Sequence, residues 1–205
     1  MKATALIPAI ALALGTVFTA LPSAAEARGP ARNNQTQTSA FTAEDAQTLT
    51  WMREEEKLAR DVYINLYQQW NKAIFDNIAA SEQRHIDAIA SLMVRFDVPD
   101  PSLPGVGEFS NPEIQSMYDD LLEQGSLSLT EAFWVGATIE DVDIYDLQIA
   151  IENTEVGTLK TTYGNLLEGS KNHLRAFVRQ LEGVGVTYEP QFIDPVLYDA
   201  IINGG

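Results

Sequence analysis

Three prolines and a glycine crowd residues 97–105, as Pro99, Pro101, Pro104 and Gly105, and no regular helix can run through them. On either side of that stretch, apolar residues recur at three- and four-residue spacing, the period of a helix with one buried face. No segment alternates apolar and polar residues as a half-buried strand would. The chain therefore reads as two helical halves held apart by a long connection.

Each half contains two helices. Thr42, with Asp45 three residues on, forms a capping-box-like start. Leu49, Met52, Glu56, Ala59, Tyr63 and Leu66 then share one face of a helix predicted to end near Trp70. Asn71 and Lys72 supply a turn. A second helix follows to about Phe96, with Ile78, Glu82, His85, Ile89 and Leu92 facing inward. Past the prolines, Asn111-Pro112-Glu113 opens a short helix to about Gln124, which Gly125 is expected to end. Ser128-Leu129-Thr130-Glu131 starts a helix to about Asn153, Gly157 lies near the next turn, and the last long helix runs to about Glu182, before Gly183 and Gly185. The tail, residues 188–202, is aromatic enough to pack back on the rest. The predicted class is all-α: two antiparallel hairpins joined by a crossover over roughly residues 97–127, the topology of a ferritin-like four-helix bundle.

Composition narrows the chemistry. Acids outnumber bases 29 to 13 for a formal charge of −16, which leaves no basic surplus to neutralise nucleic-acid phosphates or an anionic membrane. There is no cysteine, so disulfides, thiolate metal sites and cysteine nucleophiles are excluded. With only two histidines, His85 and His173, any metal must be held mainly by carboxylates.

Residues 1–27 have the features of a secretory signal peptide: Lys2, an apolar stretch from Ala5 to Leu21, and Ala25-Glu26-Ala27 as a small-x-small cleavage pattern. Pro8 and Gly15 interrupt the stretch, which favours cleavage over retention as an anchor, and no later segment reaches membrane-spanning length. Residues 28–40 carry almost no hydrophobic side chain and read as a polar linker. The helical domain is placed at residues 41–203, and the mature protein is expected in the periplasm or outside the cell.

Glu82 and His85, three residues apart, share a helix face, and this Glu-x-x-His spacing supplies a carboxylate and an imidazole in metal-binding bundles. Glu56 and His85 are equidistant from the turn at Asn71-Lys72, and Glu140 and His173 are equidistant from the turn beside Gly157. In an antiparallel hairpin such residues meet at one height. Turns at opposite ends of the bundle would bring both pairs to its middle.

Longer motifs carry a family resemblance. Glu56-Lys57-Leu58-Ala59-Arg60-Asp61-Val62-Tyr63 resembles the E-x-x-A-R-x-x-Y motif of rubrerythrin-like proteins. With Ser81-Glu82-Gln83-Arg84-His85, Val135-Gly136-Ala137-Thr138-Ile139-Glu140-Asp141 and Ser170-Lys171-Asn172-His173-Leu174-Arg175-Ala176-Phe177, it is similar to the DUF2202 family of ferritin-like proteins over about residues 42–202. The resemblance implies that Glu56, Glu82, His85, Glu140 and His173 are metal ligands, with Asp143 as a second carboxylate on the third long helix. It departs at Ser170, where a second Glu-x-x-His would have its acid. Either Asp143 substitutes for that acid or the site is asymmetric.

Such donors accept iron or manganese, as a dinuclear or mononuclear site, and are compatible with zinc. Metal ions and small oxidants are the expected partners, and a homodimer is allowed. Arg60 and Arg175 are expected to hydrogen-bond ligand carboxylates, and Tyr63 to stand near the site as donor or electron relay. Glu54 and Glu55 are expected in solvent. Asp141, Asp143 and Asp146 lack the glycine and spacing of a calcium loop. Two function classes remain: an oxidoreductase of the ferritin-like class, oxidising ferrous ion or reducing dioxygen or peroxide, and a non-catalytic envelope bundle that sequesters metal or binds a partner. In a third reading the buried acids and histidines form a metal-free polar network that fixes helix register.

Overall fold

The computed structural model describes residues 40–204, so the expected signal peptide and all of the linker except Ala40 lie outside the described residues. Six helices and no strand occur among the described residues: α1 (Ala43–Trp70), α2 (Ala73–Phe96), α3 (Pro112–Ser126), α4 (Leu129–Asn153), α5 (Gly157–Gly183) and α6 (Pro195–Asn203). None is long and apolar enough to cross a membrane.

The helix ends follow from local chemistry. At the start of α1, Asp45 N–H donates to Thr42 Oγ1 at 3.1 Å while Thr42 N–H donates to Asp45 Oδ2 at 2.8 Å, satisfying donors that a helix start leaves free. Asn71 and Asp97 end α1 and α2 in the left-handed region, at φ 50° and 56°, a conformation that short polar side chains tolerate. Asn111 caps α3 through Glu113 N–H, with Pro112 at the first helical position, and Ser128 caps α4 through Glu131 N–H. Gly125 does not end α3 as its residue type suggested. It lies buried within the helix, where a Cβ would come within 2.8 Å of Leu66 Cδ2, so the glycine serves close packing on α1. The tail does pack back, and it contains the short helix α6, which sequence periodicity did not predict.

Helix α1 packs on α2 and α4, and α5 packs on the same two, so the four long helices form a bundle with α3 laid across α1 and α4. Along every long helix the buried residues fall into the same three layers. One end is mainly aliphatic: Leu49 and Met52 of α1, Ile89 and Leu92 of α2, Leu147 and Ala150 of α4, and Leu159 of α5, with Tyr163 among them. The other is aromatic, with Tyr63, Phe75, Phe133 and Phe177 in mutual contact at ring separations of 5.3 to 6.4 Å. Between them each helix turns polar, at Glu56, at Glu82 and His85, at Glu140 and Asp143, and at Ser170 and His173, all buried. Two apolar slabs thus enclose one layer of acids and imidazoles.

Candidate metal centre

The middle layer is organised around Glu82. His85 Nδ1 lies 2.8 Å from Glu82 Oε2 and 3.1 Å from Glu56 Oε2, and His173 Nδ1 lies 2.7 Å from Glu82 Oε1 and 3.3 Å from Glu140 Oε2. Two triads result, Glu56–Glu82–His85 and Glu82–Glu140–His173, each with ligand atoms within 4.8 Å of one another and able to hold a metal ion. Every long helix contributes, and Glu82 belongs to both triads through different oxygens. The two imidazoles stack with centroids 5.7 Å apart. The glutamates are 1–2% exposed and the histidines 8–9%, so the acids face inward and the rings retain an outer edge near solvent.

Burial alone would drive all these groups to their neutral forms. It pushes Glu56 up to about 7, with His85 opposing, and it raises Glu140 and Asp143 as well. Burial would also lower the imidazoles, but their carboxylate partners overcome it, holding His85 at about 11 and His173 at about 10. Glu82, between two imidazolium ions, is driven down to about 2 against its own desolvation. Without metal the layer is thus a central carboxylate flanked by two protonated rings. Glu56 Oε1 and Asp143 Oδ1 are buried with no hydrogen-bond donor.

Asp143 lies outside both triads. Its Oδ2 accepts a hydrogen bond from Ser170, which stands on α5 three residues before His173. Tyr63 stands at the edge of the layer and donates to Glu140 Oε1 at 2.6 Å. Burial first, and then the charges of Glu140 and Glu82, keep its phenol protonated and a donor.

Several expectations fail. Glu54 and Glu55 are not in solvent but 2% and 3% exposed. Consecutive residues on α1 point in three directions, and at this height each direction is covered, because the crossover lies over the side that a free hairpin would leave wet. Glu54 accepts from the backbone N–H groups of Ser110 at 2.6 Å and Asn111 at 3.1 Å, at the start of α3. Glu55 has both oxygens buried without a donor, and its nearest charged neighbours are Asp146 and Asp143. Arg60 does not reach the layer: it binds Asp61 Oδ1 and Gln83. Arg175 binds Asn172 and the Ile201 carbonyl instead.

Two buried acids that sequence reasoning left without a role are anchors. Asp61 takes Lys57 Nζ at 2.6 Å and Gly107 N–H at 2.9 Å, and Lys57 also donates to the carbonyls of Gly105 and Glu108, so a buried ion pair ties the crossover to α1. Asp141 accepts from Tyr188 Oη at 2.8 Å and from the N–H groups of Gln191, Phe192 and Ile193, holding the tail. The available signal was Lys57 four residues before Asp61, and at Asp141 an acid inside an otherwise apolar helix face. The other partners come from loops whose path no periodicity encodes.

Comparison with known proteins agrees on the helical domain. The family described as an uncharacterized protein domain, DUF2202, matches residues 45–205. The uncharacterized protein MJ0754 of Methanocaldococcus jannaschii is 48% identical over 164 residues, which span 80% of this chain and 89% of that protein. The crystal structure of the hypothetical protein MJ0754 from Methanococcus jannaschii DSM 2661 superposes with a TM-score of 0.80 at 46% identity, covering 82% of this chain and 97% of that one. Motifs, all-helical architecture and relatives converge: the chain belongs to the DUF2202 family.

Proposed function

We propose that this chain is an exported ferritin-like protein whose bundle binds two divalent ions, iron or manganese, and uses them in redox chemistry with dioxygen or peroxide. One observation carries the reading: Glu82 presents one carboxylate oxygen to each histidine, so a single buried acid serves both triads. The residues fit such a group. The donors are carboxylates and imidazoles, which suit iron and manganese, and two buried carboxylate oxygens of the layer, Glu56 Oε1 and Asp143 Oδ1, have no hydrogen-bond donor. Two antiparallel hairpins joined by a crossover support the ferritin-like assignment.

Glu56 and His85 would hold one ion and Glu140 and His173 the other, with Glu82 common to both and Asp143 adding a carboxylate to the second. Bound iron or manganese supplies one-electron exchange with a small oxidant. The chain's residues do the rest. Tyr63 fixes Glu140, Ser170 fixes Asp143, and the aliphatic and aromatic slabs keep bulk water from both sides of the layer. Export rests on the leader-like residues 1–27, and a homodimer is compatible with this reading.

Elemental analysis of the aerobically and anaerobically purified protein, without a histidine tag, tests the proposal. About two iron or manganese ions per chain, lost in Glu82→Ala/His85→Ala, is the expected result. Metal content unchanged in that variant, or absent even after reconstitution, would sink it. A second reading, a bundle that sequesters metal without catalysis, is favoured by Ser170 standing where a second bridging acid belongs. The loaded protein separates the two: a catalyst consumes peroxide over many turnovers, and a sequestering protein binds metal and stops.

A further inference from the structure

Helix α5 contains Gly157, Gly164, Gly169 and Gly183, and three of them have open space where a Cβ would stand. Gly169 differs. A Cβ there would lie 2.6 Å from His85 Nε2 and 2.9 Å from Cε1, closer than carbon can approach. Its backbone is ordinary helix, so no left-handed φ demands glycine. What accounts for the missing side chain is the imidazole reaching across from α2.

That imidazole has little room to retreat. On one side Nδ1 meets Glu82 at 2.8 Å and Glu56 at 3.1 Å, and along its face the ring stacks on His173 at 5.7 Å. A methyl group at position 169 pushes on the opposite edge, at Nε2. The ring must then tilt, and its Nδ1 leaves the line toward Glu56 and Glu82. His173 lies on α5 itself, one turn beyond Gly169, and is not among the atoms such a Cβ would meet.

We propose that Gly169 is a positioning residue for His85: by withholding a side chain from the α2–α5 contact it sets where the imidazole presents Nδ1, and thereby the metal affinity of the Glu56–Glu82–His85 half of the centre. The effect on metal affinity rests on the function proposed above. The steric coupling between Gly169 and His85 does not.

The test is a double-mutant cycle in the full chain, with a control glycine. Alanine is the better helix former, so Gly164→Ala, with nothing within 4 Å of its Cβ, is expected to raise the thermal midpoint of the chelator-treated protein. Gly169→Ala should lower that midpoint in the wild-type background and raise it in the His85→Ala background, a reversal of sign that a general effect on α5 does not produce. Titration with Mn²⁺ should show one of two equivalents weakened at least about tenfold in Gly169→Ala and the other unchanged, on the scale seen when the groups orienting a ligand are removed. A Gly169→Ala protein stabilised in both backgrounds, or one that binds both equivalents as the wild type does, would overturn the proposal. Should no variant bind Mn²⁺, the centre itself is refuted, while the metal-free cycle still decides whether Gly169 positions the ring.

Discussion

Ser170 on α5 donates its hydroxyl to Asp143 on α4, so the helix position that lacks an acid holds the acid supplied by the neighbouring helix. The two hairpins correspond residue by residue around the centre: Glu56 with Glu140, His85 with His173, Glu82 with Ser170, and Ala59 with Asp143. The first hairpin carries its extra carboxylate on its second helix, the second hairpin on its first. Ser170 presents a hydroxyl at the position that corresponds to Glu82 and uses it to hold Asp143. Asp143→Ala is therefore expected to lower bound metal by one equivalent, and Ser170→Glu in that background to restore it. Ser170→Ala, which only frees Asp143, should weaken that equivalent by about 10- to 100-fold. Isothermal titration of the three variants with Mn²⁺ checks this; equal binding by all three would exclude Asp143 from the centre.

How far the sequence disclosed this protein depended on whether a residue's partner lay within its own hairpin. The pairing of Glu56 with His85 and of Glu140 with His173 was legible because two equal distances from a turn suffice to place them. The boundaries of α1, α2 and α4 were legible because Thr42, Asn71 and Ser128 act on neighbours a few residues away. Glu54, Asp61 and Asp141 were not, since their partners arrive from the crossover and the tail, 46 to 57 residues along the chain. Arg60 was misassigned for a related reason. Asp61, its immediate neighbour, is fully buried and captures the guanidinium before it can reach the layer.

Asp141 gives the clearest structural prediction. Its carboxylate gathers one phenol and three backbone N–H groups of the tail, more than any other side chain that holds this segment. Asp141→Ala leaves those donors without an acceptor, at about 1–3 kcal/mol for each that stays buried. The expected loss exceeds about 3 kcal/mol in urea denaturation, with faster amide exchange over residues 188–203. Metal content should be unchanged. Loss of metal in this variant would mean that Asp141 serves the centre and not the tail.

Tyr63→Phe removes the phenol hydroxyl from the middle layer and nothing else. Glu140 Oε1 then keeps its burial without the 2.6 Å donor that satisfied it. The expected cost is about 1–3 kcal/mol in the metal-free protein, and less once a bound cation satisfies the Glu140 oxygen in place of the hydroxyl. Denaturation with chelator and with Mn²⁺ measures both. An identical cost in the two states would argue against a cation near Glu140.

Asp146 and Glu55 face each other across α1 and α4 as two buried acids, and together they give the metal-free protein a defined pH dependence. Burial pushes Asp146 up to about 6, with Glu55 and Trp51 opposing, and it raises Glu55 well above the ordinary carboxylate range. A carboxyl whose pKa is higher folded than unfolded favours the native state only while both states are protonated. Its contribution is complete below about 4, the unfolded value, and is lost as pH rises through about 6. For Asp146 the loss is about 2–3 kcal/mol, since a tenfold change in proton affinity corresponds to about 1.4 kcal/mol. Asp146→Asn cannot ionise and should escape it. In urea denaturation with chelator present, the two proteins are expected to match near pH 4 and to diverge by pH 7, with the asparagine variant the more stable. The difference between them reports the Asp146–Glu55 pair, because the charge of Asp146 also raises Glu55, while Glu56 and the histidines titrate in both. A difference that stays constant from pH 4 to pH 8 would show that Asp146 ionises in the folded bundle as freely as it does in water.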